Sequence, residues 1–355
     1  MLDRFFSVAA VYLSSIVLAT DDDRRSGRSA VTNRRYSMEA GCPHPARHWL
    51  ICVALLTALI FAPSLSALDS EPAPLASHSL LLDVARAGQR LVAVGDRGHV
   101  LFTDDEGRNW RQVIVPTRAM LTGISFGDAR HGWAVGHDGV ILATSDGGLT
   151  WTHQDSGQDL ETIYLDVYFS DAQHGLVVGA YGKCLLTLDG GKTWQPAAPI
   201  TDEVHLNQIA PLRANSVLLA GESGTLLASD DARAAWRKLK IPYEGSLFGA
   251  LYLNEHALLA YGLRGHVFAS NDGGETWIGQ EMPVPVLIMT ALRMKTGLIV
   301  MAGTGGNFFL SSDLGQTFAN WKPADYKGGV SALLETTDGA LLVVGELGVS
   351  RLAAP

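Results

Sequence analysis

One feature dominates the sequence, a pair of glycines that returns seven times at nearly constant spacing. The pattern is Gly-x-x-Gly after a short apolar run, and its first glycine is Gly95, Gly136, Gly179, Gly221, Gly262, Gly303 or Gly345. The steps between these glycines are 41, 43, 42, 41, 41 and 42 residues. Aromatic residues keep the same period, at Trp110, Trp151, Trp194, Trp236, Trp277 and Phe318. Such a period indicates a repeat protein with seven structural units.

Each unit contains four short apolar or β-branched runs, separated by turns rich in glycine and aspartate. In the second unit the runs are LTGISF, WAVG, VILATS and WTHQ. The runs lack the i, i+3, i+4 apolar spacing of an amphipathic helix. Units of four strands that repeat about every 40–50 residues are typical of β-propeller blades. The sequence therefore predicts an all-β fold, a single seven-bladed β-propeller with four-stranded antiparallel blades.

The last unit has three runs and lacks the fourth, so we expect the ring to close by exchange of strands between the N- and C-terminal segments. The missing strand is expected from the segment 72–77, because a blade built from both ends leaves no exposed edge at the closure. The seven units account for nearly all of the 288 residues after Ala67. Residues 68–355 are therefore predicted to form the propeller.

The first 67 residues are interpreted as targeting sequence. A basic stretch ending at His48 precedes the apolar run 49–62, and small residues follow up to Ala67. This order is typical of a secretory signal peptide, which we expect to span residues 38–67. Residues 1–37 are interpreted as an over-extended start, with a membrane anchor as the alternative. Export predicts a periplasmic protein, with association at the membrane as a further option.

The charge and the cysteine and histidine content of the chain argue against several classes of function. The formal net charge of −9 argues against a nucleic-acid partner. Cys184 is the one cysteine beyond residue 67, and its apolar run KCLLTL predicts a buried, inert thiol. The histidines lack H-x-H spacing and there is no C-x-x-C pair. We therefore expect no metal site and no cofactor.

A second motif, S/T-x-D-x-G-x-T-W, closes the third run of the units and resembles the Asp-box, also called the BNR repeat. We expect its carboxylate to accept turn N–H groups, its glycine to supply positive φ, and its tryptophan to pack on the neighbouring blade. Copies that recur around a ring cannot form one active site. The fourth copy, SDDARAAW, lacks the glycine and the threonine. The residues interpreted as structural are Asp105, Asp146, Asp189, Asp272, Asp313, Trp110, Trp151, Trp194, Trp236 and Trp277.

Candidate functional residues are those that vary inside the repeated frame. In a propeller the loops between second and third strands and the loops between blades usually share one face. Exposed aromatic residues are expected in the loops between blades, at Tyr164, Tyr243, Phe248 and Tyr326. Solvated turn residues without a role are the alternative for any single position. The candidate partner-binding residues are Arg97, His137, Asp138, Tyr181, Glu222, Arg264 and Glu346.

A glycosidase of the sialidase type is the alternative function, because Asp-box propellers include such enzymes. Their catalysis needs an arginine cluster, a Tyr–Glu nucleophile pair and an aspartate acid/base. Sialidases have six blades where seven are counted here. The adjacent Tyr243 and Glu244 would point to opposite faces of a strand. We therefore predict no catalytic residues and a protein that is not an enzyme.

The recurring pattern FxDxxHGWAVGxxGxIxxTxDGGxTW, legible at residues 126–151, resembles the photosystem II stability/assembly factor family. The resemblance covers residues 75–355. It implies a single exported seven-bladed propeller that binds membrane-protein assembly intermediates without catalysing a reaction. Related bacterial propellers accompany membrane exporters. The expected partner is a membrane protein or membrane-protein complex, either an exporter or a photosystem-like assembly, and the expected state is a monomer.

Overall fold

The computed structural model describes residues 69–197, 203–213, 216–231, 235–323 and 326–355. The expected signal peptide and the segment 1–37 lie outside these residues. The described part of the chain is almost entirely strand and turn, with five one-turn 3-10 helices. Within it, no helix combines the length and apolar character needed to cross a membrane.

Twenty-seven strands form seven antiparallel sheets, each built from consecutive strands, so the predicted seven-bladed all-β propeller is confirmed. The strands of blades one to four are β1 (Leu81–Ala87), β2 (Arg90–Gly95), β3 (Val100–Thr103), β4 (Arg111–Val113), β5 (Leu121–Phe126), β6 (Gly132–Gly136), β7 (Ile141–Thr144), β8 (Thr152–Gln154), β9 (Tyr164–Phe169), β10 (Gly175–Gly179), β11 (Cys184–Thr187), β12 (Gln195–Pro196), β13 (Leu206–Pro211), β14 (Val217–Gly221), β15 (Leu226–Ser229) and β16 (Arg237–Lys238). Those of blades five to seven are β17 (Leu247–Tyr252), β18 (Leu258–Gly262), β19 (Val267–Ser270), β20 (Ile278–Gln280), β21 (Ile288–Arg293), β22 (Ile299–Gly303), β23 (Phe308–Ser311), β24 (Ala319–Trp321), β25 (Val330–Glu335), β26 (Leu341–Gly345) and β27 (Gly348–Leu352).

The core lies between blades rather than within one layer. Second strands such as β10 and β14 are buried along their whole length, because each has a neighbouring blade on both faces. Fourth strands such as β12 and β16 are two exposed residues long. In the seam between blades one and two, Val92 and Val94 pack with Leu142 and Trp151. Repeating this apolar layer around the ring is what holds the blades together.

The first glycine of each Gly-x-x-Gly pair ends the second strand and lies against a backbone carbonyl. A Cβ at Gly136 would overlap the carbonyl oxygen of Met120. That oxygen accepts the N–H of His137 at 2.9 Å. All seven blades make this hydrogen bond, at 2.9–3.1 Å. The accepting carbonyls belong to Leu80, Met120, Ile163, His205, Ser246, Leu287 and Gly329.

Each innermost strand carries a β-bulge directly after this contact. In blade two, Leu121 pairs with Gly136 and Gly123 pairs with Val135, so Thr122 between them has no cross-strand partner. The same shift occurs at the start of the innermost strand in the other six blades. A bulge bends the strand and re-aims its side chains. The second residue of every innermost strand, and the third residue of five of them, line the central channel.

The expected strand exchange is wrong for the described residues. The seventh sheet contains β25, β26 and β27, and the segment 72–77 does not pair with β27. A 3-10 turn covers Ala76–His78 instead. The preceding residues lie on blade one, where the Ala73 N–H donates to Gln112 Oε1 at 2.7 Å and Gln112 Nε2 donates to the Glu71 carbonyl at 2.9 Å. Two prolines in this segment lack the N–H that a strand ladder needs.

Side chains, rather than a shared strand, join the described parts of blades seven and one. Leu342 of β26 packs with Leu91 of β2. The Glu106 carboxylate accepts the N–H of Thr337 at 3.0 Å, and Arg351 Nε donates to the Glu106 carbonyl at 3.2 Å. The seam therefore closes by the same kind of packing that joins the other blades.

The aspartate hairpins, which connect third and fourth strands, are closed hydrogen-bond units. Asp146 Oδ1 accepts from Thr144 Oγ1 (2.8 Å) and from the N–H groups of Leu149 (3.0 Å) and Thr150 (2.9 Å), while Oδ2 accepts from Thr150 Oγ1 (2.6 Å). Desolvation raises the pKa of Asp146, but these hydrogen bonds outweigh it and hold the pKa at about 2. Closely similar units centre on Asp105, Asp189, Asp272 and Asp313.

The hairpin tryptophans pack into the seams. Trp151 is buried, and its indole N–H donates to the Gly148 carbonyl at 3.1 Å. Trp110 and Trp277 make the same bond. The indole nitrogens of Trp194 and Trp236 have no hydrogen-bond partner in the described part of the chain. The turn of the degenerate fourth copy, residues 232–234, lies outside that part.

Substitution of Gly136 by alanine tests the glycine–carbonyl contact. We expect Gly136→Ala to lower the free energy of unfolding by about 1–3 kcal/mol, because the methyl group would overlap the Met120 carbonyl. Gly279→Ala is the matched control, since its Cβ would meet nothing closer than 3.6 Å. Equilibrium unfolding in urea measures both variants. Equal losses in the two would contradict the steric explanation.

Substitution of Thr144 by valine tests the hairpin. Thr144→Val keeps the shape of the side chain but removes the buried hydroxyl that accepts the Gly148 N–H at 3.0 Å. Leaving this buried N–H unpaired should cost about 1–3 kcal/mol in urea unfolding. Thr152→Val is the control, because its exposed hydroxyl lies 3.5 Å from the Ala143 carbonyl. A neutral Thr144→Val would show that the hydroxyl does not stabilise the hairpin.

Candidate functional site

Two kinds of loop form one face of the propeller, which we call the loop face. They are the Gly-x-x-Gly loops and the connections between blades. The Gly139 N–H donates to the Thr162 carbonyl at 2.7 Å, and the Gly182 N–H donates to the Val204 carbonyl at 2.8 Å. The Gly224 N–H likewise donates to the Gly245 carbonyl at 2.8 Å, so the Gly-x-x-Gly loops of blades two to four are bonded to the connections that lead into the next blades. Variable residues from both loops are neighbours on this face.

The opposite face, which we call the hairpin face, holds the aspartate hairpins and the loops between first and second strands. The Gly147 N–H donates to the Arg130 carbonyl at 2.9 Å, and the Gly190 N–H donates to the Gln173 carbonyl at 2.9 Å. His131 and His174 belong to these loops and contact Asp128 and Asp171. The hairpin face therefore carries the recurring aspartate hairpins, and its loops repeat the pattern Asp-Ala-x-His in blades two and three.

A left-handed backbone conformation exposes the second variable residue of the Gly-x-x-Gly loops. Six of the seven loops have a positive φ at this residue, between 53° and 67°. The side chain consequently points away from the blade, and the residue is exposed in all seven loops. The seven residues are Arg97, Asp138, Tyr181, Ser223, Arg264, Gly305 and Leu347. This geometry allows varied side chains on an invariant turn.

The predicted candidate residues fall into two groups. Arg97, Asp138, Tyr181 and Arg264 are exposed second residues of the loops. The other three, His137, Glu222 and Glu346, are half-buried first residues. Desolvation lowers the pKa of His137, although Asp138 opposes this shift. His137 is therefore mostly neutral at pH 7.

Two of the half-buried candidates use their carboxylates within the blade. Glu222 Oε2 accepts the N–H of His205 at 3.0 Å. Glu346 Oε2 accepts the N–H of Gly329 at 2.6 Å. Both bonds tie a Gly-x-x-Gly loop to the residue in front of an innermost strand. One oxygen of each carboxylate is thus committed to the fold.

Sequence reasoning missed His205, which connects two of the candidates. The side chain is buried, its Nδ1 lies 3.0 Å from Glu222 Oε2, and its ring meets the ring of Tyr181 edge-on at 4.8 Å. Tyr181 is 45% exposed and belongs to blade three, whereas Glu222 belongs to blade four. His205 therefore supports an exposed tyrosine across a blade seam. Its place immediately before β13, beside both loops, is the sequence signal that could have found it.

The expected exposure of four loop aromatic residues is wrong. Tyr164 and Tyr326 are buried, and Tyr243 and Phe248 are half-buried. Tyr164 begins β9 and packs in the core, and Tyr243 packs on His266 at a ring distance of 4.7 Å. The large apolar residues exposed on the loop face or in the connections between blades are different ones, namely Leu75, Ile114, Leu160, Tyr181 and Leu347.

The central channel is the second concave feature, with a cavity of about 210 Å³. Asp83 of β1 and Asp166 of β9 line it, and no described lining residue is basic. Asp83 Oδ2 accepts the N–H of Ile124 in the next blade at 2.8 Å, and Asp166 Oδ2 accepts the N–H of Ile209 in the next blade at 2.7 Å. The two carboxylates thus tie neighbouring innermost strands together.

Burial raises the pKa of both channel carboxyls, so they are weaker acids than usual. Desolvation raises the pKa of Asp83 to about 7. Desolvation and the nearby Asp83 charge raise that of Asp166 to about 8. Backbone N–H donors oppose both shifts without cancelling them. Sequence reasoning did not select either residue.

The described residues offer little for metal or thiol chemistry. No group of three or more histidine, cysteine, aspartate or glutamate side chains in the described ranges is arranged to hold a metal ion. Burial raises the pKa of the Cys184 thiol to about 12, so it stays protonated at neutral pH. The loop face therefore remains the main candidate site.

The fold and its loop face define a single-ring, seven-bladed β-propeller that varies on one side. The chain belongs to the family described as photosynthesis system II assembly factor YCF48, whose model matches residues 102–161 and 154–331. The resemblance expected from the sequence is thereby confirmed.

Curated relatives match shorter stretches. Photosystem II stability/assembly factor HCF136 of Cyanidioschyzon merolae is 28% identical over 151 residues, which are 41% of this chain and 34% of that protein. Photosystem II assembly protein Ycf48 of Thermosynechococcus vestitus is 43% identical over 42 residues, 12% of each chain. The matched stretches thus span about a third or less of these relatives.

Solved structures share the fold over most of the chain. A structure described as YCF48 bound to D1 peptide has a TM-score of 0.66 and 18% identity, and the match covers 83% of this chain and 99% of that one. YCF48 from Cyanidioschyzon merolae has a TM-score of 0.66 and 17% identity, with 81% and 99% covered. The WD40 propeller domain of Doa1 has a TM-score of 0.62 at 12% identity, with 81% and 95% covered.

The channel carboxyls predict a pH dependence of stability. The folded chain holds protons on Asp83 and Asp166 that the unfolded chain, with its usual carboxyl pKa of 3.8, releases. Their contribution to the free energy of unfolding is therefore greatest below about pH 4 and is lost as the pH rises through about 7 to 8. Asp166→Asn removes one of these titrations. Wild type should be more stable, relative to Asp166→Asn, at about pH 5 than at about pH 8.

Urea unfolding at these two pH values checks the prediction. Asp138→Asn, which changes an exposed residue, is the control. Its stability should differ from that of wild type by the same amount at both pH values. A stability difference between wild type and Asp166→Asn that stays constant from about pH 5 to about pH 8 would contradict the assignment.

Proposed function

We propose that this chain is an exported, non-catalytic propeller that binds a membrane protein or a membrane-protein assembly intermediate through its loop face. The partner is an exporter or a photosystem-like assembly, and the site of action is the periplasmic side of the membrane. The observation that carries the proposal is the contrast between the two faces. The hairpin face repeats the same aspartate hydrogen-bond unit in five blades, whereas the second variable residues of the loop face are of six residue types in seven blades.

The chemistry of the loop face supports protein binding. Tyr181 is a rigid, half-exposed aromatic side chain braced by His205, the kind of residue that anchors protein interfaces. Leu160 and Leu347 are 79% and 48% exposed on the same face. Apolar residues separated by charged ones are typical of a surface that a partner covers.

Family membership supports an assembly role. The family is described as an assembly factor, and one solved relative is described as bound to D1 peptide. A propeller of this family that binds a segment of a membrane protein fits the exposed side chains of the loop face. The same membership supports a binding function in preference to the glycosidase alternative.

Replacement of Tyr181 by alanine tests the assignment of the face. We expect Tyr181→Ala to reduce recovery of the partner about tenfold or more when tagged protein is purified from a detergent-solubilised envelope, because interface tyrosines often contribute ~2 kcal/mol. Leu188→Ala is the matched control in the same blade. Leu188 is 48% exposed, close to the 45% of Tyr181, but lies at the aspartate hairpin.

The two variants can show which face binds the partner only if both fold. Circular dichroism and urea unfolding verify that they do. Recovery of one membrane complex by wild type and Leu188→Ala, with loss in Tyr181→Ala, supports the proposal. Loss in Leu188→Ala alone would place binding on the hairpin face. Recovery of no membrane protein by wild type, together with turnover of glycosides, would favour the hydrolase.

A further inference from the structure

Exposed carboxylates concentrate in one part of the loop face, across blades two to four. We call this part the acidic sector, and define it by five exposed acidic residues together with Leu160 and Tyr181. The acidic residues come from three loops, namely a Gly-x-x-Gly loop and the two connections that lead into blades three and four. They are Asp138, Asp155, Asp159, Glu161 and Glu203.

Backbone hydrogen bonds join these connections to the Gly-x-x-Gly loops of blades two and three. The Gly-x-x-Gly loop of blade two bonds to the connection into blade three through Gly139 and Thr162. Asp159 Oδ1 accepts from Thr162 Oγ1 at 2.9 Å within that connection. The loop of blade three bonds to the connection into blade four through Gly182 and Val204. Backbone hydrogen bonds therefore link the described parts of these loops in two pairs.

The acidic residues of the acidic sector are not neutralised by ion pairs with the described lysines and arginines. Elsewhere on the surface, several acidic residues pair with arginines, as in Arg118–Glu71 at 2.9 Å and Arg213–Glu255 at 3.0 Å. None of the five acidic residues forms an ion pair with a lysine or arginine of the described chain. The nearby Lys183 instead donates to Gln158 Oε1 at 3.0 Å. The sector consequently carries a local negative potential.

Two apolar side chains stand among these charges. Leu160 is 79% exposed and lies between Asp159 and Glu161 in the chain. Tyr181 is 45% exposed and packs on His205. His205 follows Glu203 by two residues in the chain. A hydrated ion gains no free energy from contact with apolar groups, whereas a polypeptide can cover them with its own apolar side chains.

We propose that the acidic sector binds a basic segment of the partner protein, in which lysine or arginine residues flank an apolar side chain. The inference rests on the proposed function and names the chemistry of the partner at the same face. Opposite charges steer the segment to the sector and set its specificity, and burial of Leu160 and Tyr181 supplies affinity. An anionic membrane surface or a nucleic acid would be repelled.

A peptide-binding assay tests the charge chemistry without knowledge of the partner. The probe is a fluorescein-labelled peptide of alternating lysine and leucine, compared with its glutamate–leucine counterpart by fluorescence anisotropy. Wild type should bind the lysine peptide at least about tenfold more tightly than the glutamate peptide. Glu161→Lys with Glu203→Lys should weaken the lysine peptide about tenfold, because both side chains are exposed.

The control carries the same charge change on the hairpin face. Glu255→Lys with Glu275→Lys replaces two exposed glutamates whose surface ion pairs contribute little to stability. This control should change binding about twofold or less, since exposed charges further than about 8 Å apart are largely screened at physiological salt. Equal weakening by the two double variants would mean general attraction to an acidic protein and would overturn the proposal. A lysine peptide bound no better than the glutamate peptide would overturn it as well.

Envelope purification separates this inference from the proposed function. Recovery of a membrane complex by wild type, with loss in Glu161→Lys/Glu203→Lys and retention in Glu255→Lys/Glu275→Lys, supports both. Equal recovery by wild type and Glu161→Lys/Glu203→Lys overturns the acidic sector while the proposed function stands. A failure of wild type to recover any membrane protein counts against the proposed function. The peptide assay then tests by itself whether the acidic sector binds a basic segment.

Discussion

The contact between a glycine and a backbone carbonyl is the constraint on which each blade depends. The carbonyl in front of the innermost strand accepts the N–H that follows the second strand, and only a residue without Cβ lets the two chains approach so closely. A side chain at Gly136 or Gly303 would overlap that carbonyl. The contact fixes where the innermost strand begins and where the loop leaves the sheet. Seven repetitions of one steric requirement therefore produce the seven-fold glycine period.

Two different surfaces follow from this one contact. On the inner side it precedes the bulge beside the residues that line the channel, Asp83 and Asp166 among them. On the outer side it starts a turn whose second variable residue is exposed in every blade. Since the turn geometry is fixed by backbone atoms and glycines, the exposed side chains can vary freely. Stability and recognition thus reside in different residues of the same loop.

Local patterns in the sequence predicted the blades well, but they did not reveal the polar contacts between blades. Strand runs such as LTGISF and the hairpin residues around Asp146 are local, and β5 and the hairpin lie where the pattern places them. The channel carboxylates were missed because their partners, such as Ile124, belong to the next blade. The tripeptide Leu-Asp-Val occurs in both β1 and β9 and was the available signal. The strand exchange failed because Gln112 on blade one competes for the segment.

The acidity of the chain is divided among three environments, and only one of them is free to act on a partner. The hairpin aspartates are ionised, but Thr and backbone donors occupy their oxygens, as at Asp146. The channel carboxyls sit in a narrow cavity and hold protons more tightly than usual, so their charge is suppressed near neutral pH. Exposed residues such as Glu161 and Glu203 face water and form no ion pair with a lysine or arginine of the described chain. The formal net charge of −9 says little about recognition, whereas the position of the uncommitted carboxylates points to one sector of one face.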